Sequence, residues 1–80
     1  MPPLLDVVNV EARADNTLLL VFENGEQRIF DMAPLLERKP FQALKNSPLF
    51  FEVRVDYGTV VWPGEIDIAP ETLYEQSLPV

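Results

Sequence analysis

The sequence predicts a single small α+β domain: an antiparallel sheet built from a three-strand meander and then a second hairpin, with short helices packed on it. Three observations carry this. Short runs alternate apolar and polar residues at a period of two, as strands half-buried on one face do. Two pairs of such runs are joined through glycine, at Asn24-Gly25 and at Gly58. Pro40, Pro48 and Pro70 stand where short helices would begin, because proline is tolerated in a first turn and not beyond it. Residues 1–80 are assigned to one domain, since a chain of 80 residues supplies one core and not two.

The first strand is the segment VNVEA, with Val8, Val10 and Ala12 on one side and Asn9 and Glu11 on the other. In TLLLVFENGEQRIF two apolar runs flank Asn24-Gly25, the pair that best tolerates the positive φ angles of a type I′ turn. A two-residue loop would set Glu23 opposite Glu26, Phe22 opposite Gln27, Val21 opposite Arg28 and Leu20 opposite Ile29. Leu18, Leu20, Phe22 and Ile29 then share a face, with Leu19, Val21 and Phe30 on the reverse. The hairpin is apolar on both sides, and the second side calls for cover by helices, the C-terminal tail or another subunit.

Asp31 is expected to cap a short helix over MAPLLER, which Pro40 ends. Pro40 and Pro48, the latter preceded by Ser47 as a cap, open two further helical turns, FQALKN and LFFE. None is long enough to be stable alone, so Leu35, Leu36, Phe41, Leu44, Leu49 and Phe50 are expected to pin them to the sheet. The second hairpin pairs VRVD with TVVW around Gly58 and gathers Val53, Val55, Val60 and Trp62. PETLYEQS closes the chain as a helical turn or two, with Pro70 first and Glu71 near the positive end.

A hydrophobic content of 48% with 24% charged residues belongs to a folded chain. The chain has no cysteine, so no disulfide or thiolate metal site staples it, which fits a reducing cytosol. A net charge of −7, from 13 acidic and 6 basic residues, opposes nucleic acid and anionic lipid and favours encounter with a basic protein. No apolar stretch approaches the roughly 20 residues that cross a bilayer. MPPLLDVV also lacks the basic head of a secretory signal, so the expectation is a soluble, cytoplasmic protein.

With no histidine and no cysteine, the commonest general base, metal ligand and ready nucleophile are all missing. Ser47 and Ser77 have no evident base, and Gly25, Gly58 and Gly64 are scattered among turns, so no phosphate loop exists. The basic residues Arg28, Arg38, Lys39, Lys45 and Arg54 read as scattered, solvated cations. No cofactor and no enzymatic activity are expected.

One acidic group offers an alternative. Glu65 and Asp67 would share a face of an extended segment, and Asp56 lies one hairpin away. Together they could bind a divalent cation or a small ligand, or serve an enzyme, although their spacing is not that of a calcium loop. The favoured reading leaves Glu65 solvated and has Asp67 accept backbone hydrogen bonds that turn the chain toward Pro70. Trp62, Pro63 and Tyr74 are the candidate interface residues. The core is the first reading for Trp62, and Tyr74 is open between core and interface.

Three stretches then carry a resemblance. Leu18 to Asp31 reads L-x-x-x-F-x-x-G-E-x-R-x-F-D, Phe50 to Asp56 is a phenylalanine-bearing turn followed by a strand V-x-V-D, and Val60 to Tyr74 reads V-x-W-P-x-x-x-D-x-A-P-x-x-L-Y. The chain resembles the small bacterial proteins of the Domain of Unknown Function 2442 family over nearly its full length. It departs from them at Gly64-Glu65, where family members often carry Asn-Gly. The resemblance implies a fold and no catalytic residues. It also implies a context, since such proteins are commonly encoded beside another small protein and have been proposed as toxin–antitoxin partners. The leading expectation is therefore a protein-interaction module, the neutralising, antitoxin-like partner of a small basic protein. A homodimer is compatible with it.

Overall fold

The computed structural model describes residues 5–80. In chain order it contains β1 (Val7–Ala12), β2 (Thr17–Phe22), β3 (Gln27–Asp31), three 3-10 turns (Leu35–Glu37, Phe41–Leu44, Pro48–Glu52), β4 (Arg54–Asp56), β5 (Thr59–Trp62), β6 (Ile66–Asp67), α1 (Pro70–Gln76) and β7 (Leu78–Pro79). All pairings are antiparallel, within one sheet ordered β1-β2-β3-β7 and a second ordered β4-β5-β6. The α+β class is as expected. The chain has two sheets where one was expected, because the β4–β5 hairpin pairs with β6 and not with the meander; β6 and β7, at two residues each, are too short to show a periodic pattern in the sequence.

The first hairpin differs from expectation by one residue. Val21 pairs with Gln27, Leu20 with Arg28, and Leu18 with Phe30. The loop is Glu23–Gly25: the Gly25 amide donates to the Phe22 carbonyl (2.8 Å) and the Phe22 amide donates to the Glu26 carbonyl (2.9 Å). Within it Gly25 has a positive φ of 87° and Asn24 does not. This is the pattern of a three-residue loop, which asks the left-handed conformation of glycine alone, whereas a type I′ turn asks it of both central residues. A slip of one residue exchanges faces on β3. Phe30 therefore joins Leu18, Leu20 and Phe22 in the core, with exposures of 2% and 0% for the other three. Ile29 moves to the outer face with Leu19 and Val21, and Arg28 comes to the core side. Burying phenylalanine removes more apolar surface from water than burying isoleucine, so the shorter loop would have been the poorer choice.

A two-residue turn with both residues at positive φ occurs in the second hairpin instead, at Tyr57 (51°) and Gly58 (78°) between the paired Asp56 and Thr59. The Gly58 carbonyl accepts from the Val7 amide (2.9 Å), and the Asp6 carbonyl accepts from the Glu23 amide (2.8 Å). The entry to β1 thus ties the two sheets together. A bulge follows at once, because Val7 pairs with Phe22 and Asn9 with Val21. It buries Val7 at 1% and leaves Val8, expected on the side of Val10 and Ala12, at 55% exposure.

The middle segment is less helical than expected. MAPLLER yields only Leu35–Glu37, and the Asp31 carboxylate accepts from the Ala33 amide (3.0 Å) as a turn at the strand end rather than a helix cap. Proline every few residues leaves too short a run to nucleate an α-helix. Ser47 does cap the turn at Pro48, accepting from the Leu49 amide (3.2 Å). Leu36, Leu44 and Phe50 enter the core, while Leu49 and Phe51 are exposed.

Both sheets and these turns share one core. Val7, Leu18, Leu20, Phe22, Phe30 and Met32 meet Val60, Trp62 and Ile66 there, and Leu36, Leu44, Phe50 and Leu73 close it. The Trp62 indole N–H donates to the Phe50 carbonyl (2.9 Å), so the largest core side chain carries no unpaired donor. At the far edge β7 lies along β3, with Ile29 opposite Leu78, Arg28 opposite Pro79 and the Val80 amide donating to the Gln27 carbonyl (3.0 Å). Since Val80 points its amide inward, Pro79 turns its nitrogen to the free edge, where it has no N–H to leave unpaired.

Glycine substitution tests the loops. A Cβ on Gly25 meets nothing within 4 Å, so Gly25→Ala should cost only the left-handed backbone term, about 1 kcal/mol. A Cβ on Gly58 would lie 2.5 Å from an Asp6 carboxylate oxygen. Urea unfolding should show Gly58→Ala as the costlier change, with part of the difference recovered by adding Asp6→Ala.

Candidate functional site

The side chains singled out from the sequence are dispersed. Trp62 is 1% exposed, stacked on Phe50 (6.4 Å between centroids) with Phe41 edge-on, and it offers no surface to a partner. Pro63 is half-buried at the start of the β5–β6 turn, whose Gly64 and Glu65 have φ of 92° and 62°. Tyr74 is half-buried on α1, its ring edge-on to Phe22 at 5.1 Å.

Asp56, Glu65 and Asp67 line one hollow of about 430 Å³ on the outer side of the small sheet, with Arg54, Tyr57 and Thr59 among their neighbours. They do not converge: among the described residues no three His, Cys, Asp or Glu side chains are placed to hold a metal ion. Glu65 occupies a left-handed turn rather than an extended segment. The register sets Asp67 beside Val61, Val61 beside Arg54 and Asp56 beside Thr59, so the acids sit apart on β6, on β4 and in the β5–β6 turn, with Arg54 lining the same hollow. The hydrogen bond that leads the chain toward α1 runs from the Thr59 hydroxyl to the Ile68 carbonyl, where a bond to Asp67 had been expected.

A polar cluster that sequence reasoning missed lies where α1 meets β7. The Arg28 guanidinium donates through Nε to Ser77 Oγ (2.7 Å), through one Nη to the Ser77 carbonyl (2.8 Å) and through the other to Glu26 (3.1 Å). It also lies over the Tyr74 ring, 4.4 Å from the centroid. The Tyr74 hydroxyl donates to Glu26 (2.8 Å), as does the Asn24 carboxamide (2.7 Å). Ser77, 2% exposed, donates in turn to the Tyr74 carbonyl (3.0 Å). The hydrogen bond from Tyr74 and the amide of Asn24, reinforced by Arg28, hold the Glu26 carboxyl below the usual range against the opposing effect of burial. The same bond to Glu26 raises the Tyr74 phenol above its ordinary value. Every polar group in this cluster has a protein partner, so its chemistry is that of a clamp that holds the chain end in place. Arg28 had been read as a solvated cation because the basic residues are scattered along the chain, whereas the observed register brings it to the core side. Glu26 and Arg28 two apart at the entry to β3, with Tyr74 and Ser77 three apart across the end of α1, are the local signs that could have marked it.

The third feature is the outer face of the large sheet. Glu11, Leu19, Ile29 and Leu78 form one row across four strands, and Asn9, Val21 and Gln27, with Val80 beyond, form the next. Leu19, Val21 and Ile29 belong neither to the core nor to the residues packed against it. Leu78 and Val80 are 71% and 76% exposed. No described helix covers this band.

Fold and site thus define a small α+β domain with a polar clamp at its C-terminal end and, among the described residues, an uncovered apolar sheet face and no His, Cys, Asp or Glu group placed to hold a metal ion. Residues 7–79 match the family described as "Protein of unknown function (DUF2442)", and the chain belongs to that family. No curated protein and no solved structure gives a significant match. No helix among the described residues is long and apolar enough to cross a membrane.

The clamp makes a pH prediction. Glu26 titrates lower when folded than unfolded, so its contribution is complete above the unfolded carboxyl range and is lost as pH falls through the folded value. Tyr74 titrates higher when folded, so its contribution is complete below the unfolded phenol range and is lost as pH rises through the folded value. Tyr74→Phe removes the shared hydrogen bond. Denaturant midpoints against pH should then be lower on the plateau and flatter at both ends than for the parent chain.

Proposed function

We propose that this protein is an interaction module that binds a small basic protein through the outer face of its four-stranded sheet, as the neutralising member of a two-protein pair. The observation that supports it best is the apolar band of Leu19, Val21, Ile29, Leu78 and Val80 on that face. An apolar stripe that size on an 80-residue domain is a usual mark of a protein contact. Glu11 ends one of its rows and Asp31 continues β3 on the same face, within a chain of net charge −7. Acidic flanks around an apolar centre suit a partner that carries cations around its own apolar patch. Basic partners would also be steered in at long range, while a second copy of this chain would be repelled. Tyr74 and Pro63 lie away from this band, and Trp62 contributes by holding the core beneath the small sheet.

The test uses the product of the adjacent gene, where it is small and basic, titrated calorimetrically into the purified chain. A complex should form whose affinity falls as salt rises. Leu19→Asp and Leu78→Asp should each weaken it by about tenfold or more, in the range of central apolar contacts, while Tyr57→Ser leaves it unchanged. Binding that ignores both aspartates, or a chain that sediments as a homodimer with that face closed, would rule the proposal out.

A further inference from the structure

Asn24 is not at positive φ, so the backbone of the loop does not require asparagine there. Its side chain is engaged twice with one neighbour instead. Asn24 Oδ1 accepts from the Glu26 amide (3.0 Å), and Nδ2 donates to Glu26 Oε1 (2.7 Å). Asparagine followed by glycine is also the most chemically labile pairing of the amide residues, because glycine places no side chain in the way of ring closure.

We propose that Asn24 is a deamidation site, reacting through Gly25, and that the Tyr74–Glu26–Arg28 clamp gates its rate. In the reaction the Gly25 amide nitrogen loses its proton and attacks Asn24 Cγ. A C–N bond forms, the carboxamide nitrogen leaves as ammonia, and a five-membered succinimide results. Water then opens the ring at either carbonyl to aspartate or isoaspartate. No oxidant or further reactant is involved.

The folded loop restrains both reacting groups. The Gly25 N–H is committed to the Phe22 carbonyl (2.8 Å), and the Asn24 carboxamide is turned forward onto Glu26. Glu26 is itself held by the Tyr74 hydroxyl (2.8 Å) and Arg28 (3.1 Å). Reaction therefore proceeds from an opened loop, and the clamp sets how often the loop opens. The product reinforces the opening. A carboxylate at position 24 faces the Glu26 carboxylate where a donor stood, and isoaspartate adds a backbone atom to a loop whose length sets the register.

The full chain and a peptide spanning residues 21–27 are incubated in the same neutral buffer, and ammonia loss and isoaspartate at Asn24 are followed by mass spectrometry. The peptide should react at least about tenfold faster, since the folded loop is open well under a tenth of the time. Tyr74→Phe should speed the folded chain several-fold, and so should Arg28→Lys, which serves if the first variant does not fold. Val60→Ala weakens the core away from the loop and should leave the rate near that of the parent. A full chain as fast as the peptide overturns the proposal. Clamp variants no faster than the parent, or Val60→Ala as fast as the clamp variants, overturn it equally.

Discussion

The loop Glu23–Gly25 sets the register on which the rest of this structure depends. Closing the hairpin over three residues, with Gly25 alone in the left-handed region, brings Leu18, Leu20, Phe22 and Phe30 to one face. Those four rings and branches form the floor on which Val60, Trp62 and Leu73 rest. One residue more or less would turn Phe30 to solvent and leave Ile29 in a space shaped for an aromatic ring. Strand faces alternate strictly, so no local adjustment could repair such an error.

The same register places Arg28 on the core side, directly opposite Leu20. A cation there is tolerable only if its donors are matched, since an unpaired buried charge costs far more than a paired one returns. Ser77 and Glu26 supply the acceptors and the Tyr74 ring supplies a π face. Satisfying Arg28 thus fixes the end of α1, and the fixed end of α1 lays β7 along β3. The tail strand follows from a part-buried cation more than from its own two exposed residues, which bury little.

The architecture explains why the two faces of the large sheet differ so sharply. Turns rich in proline, too short to form α-helices, are used up in closing the inner side together with the small sheet. Nothing in the described chain is left to cover Leu19, Val21 and Ile29. The acids at Asp56, Glu65 and Asp67 likewise remain a solvated rim around Arg54, because strand register spreads them instead of focusing them. Among the described residues the polar clamp ties the chain end to the large sheet, and the apolar outer face of that sheet is left uncovered.

What the sequence by itself determined was whatever depends on near neighbours. The α+β class, the two hairpins, the cap at Ser47, the helix opening at Pro70 and the two-sided apolar character of β2 and β3 all follow from alternation, proline and glycine within a few residues. What only the tertiary structure decided were choices between local options of nearly equal merit. Asn24-Gly25 suits loops of two or three residues, and packing of Phe30 against the core selects one. Leu78–Pro79 has no strand signal, and Arg28, 49 positions from Ser77, makes it a strand. Trp62 favoured the core and Tyr74 was open to either side; the carbonyl of Phe50 holds Trp62 in the core, and the carboxylate of Glu26 holds Tyr74 half-buried against it. Each of these outcomes rests on a contact between residues far apart in the chain, whose energy exists only once the fold has brought them together.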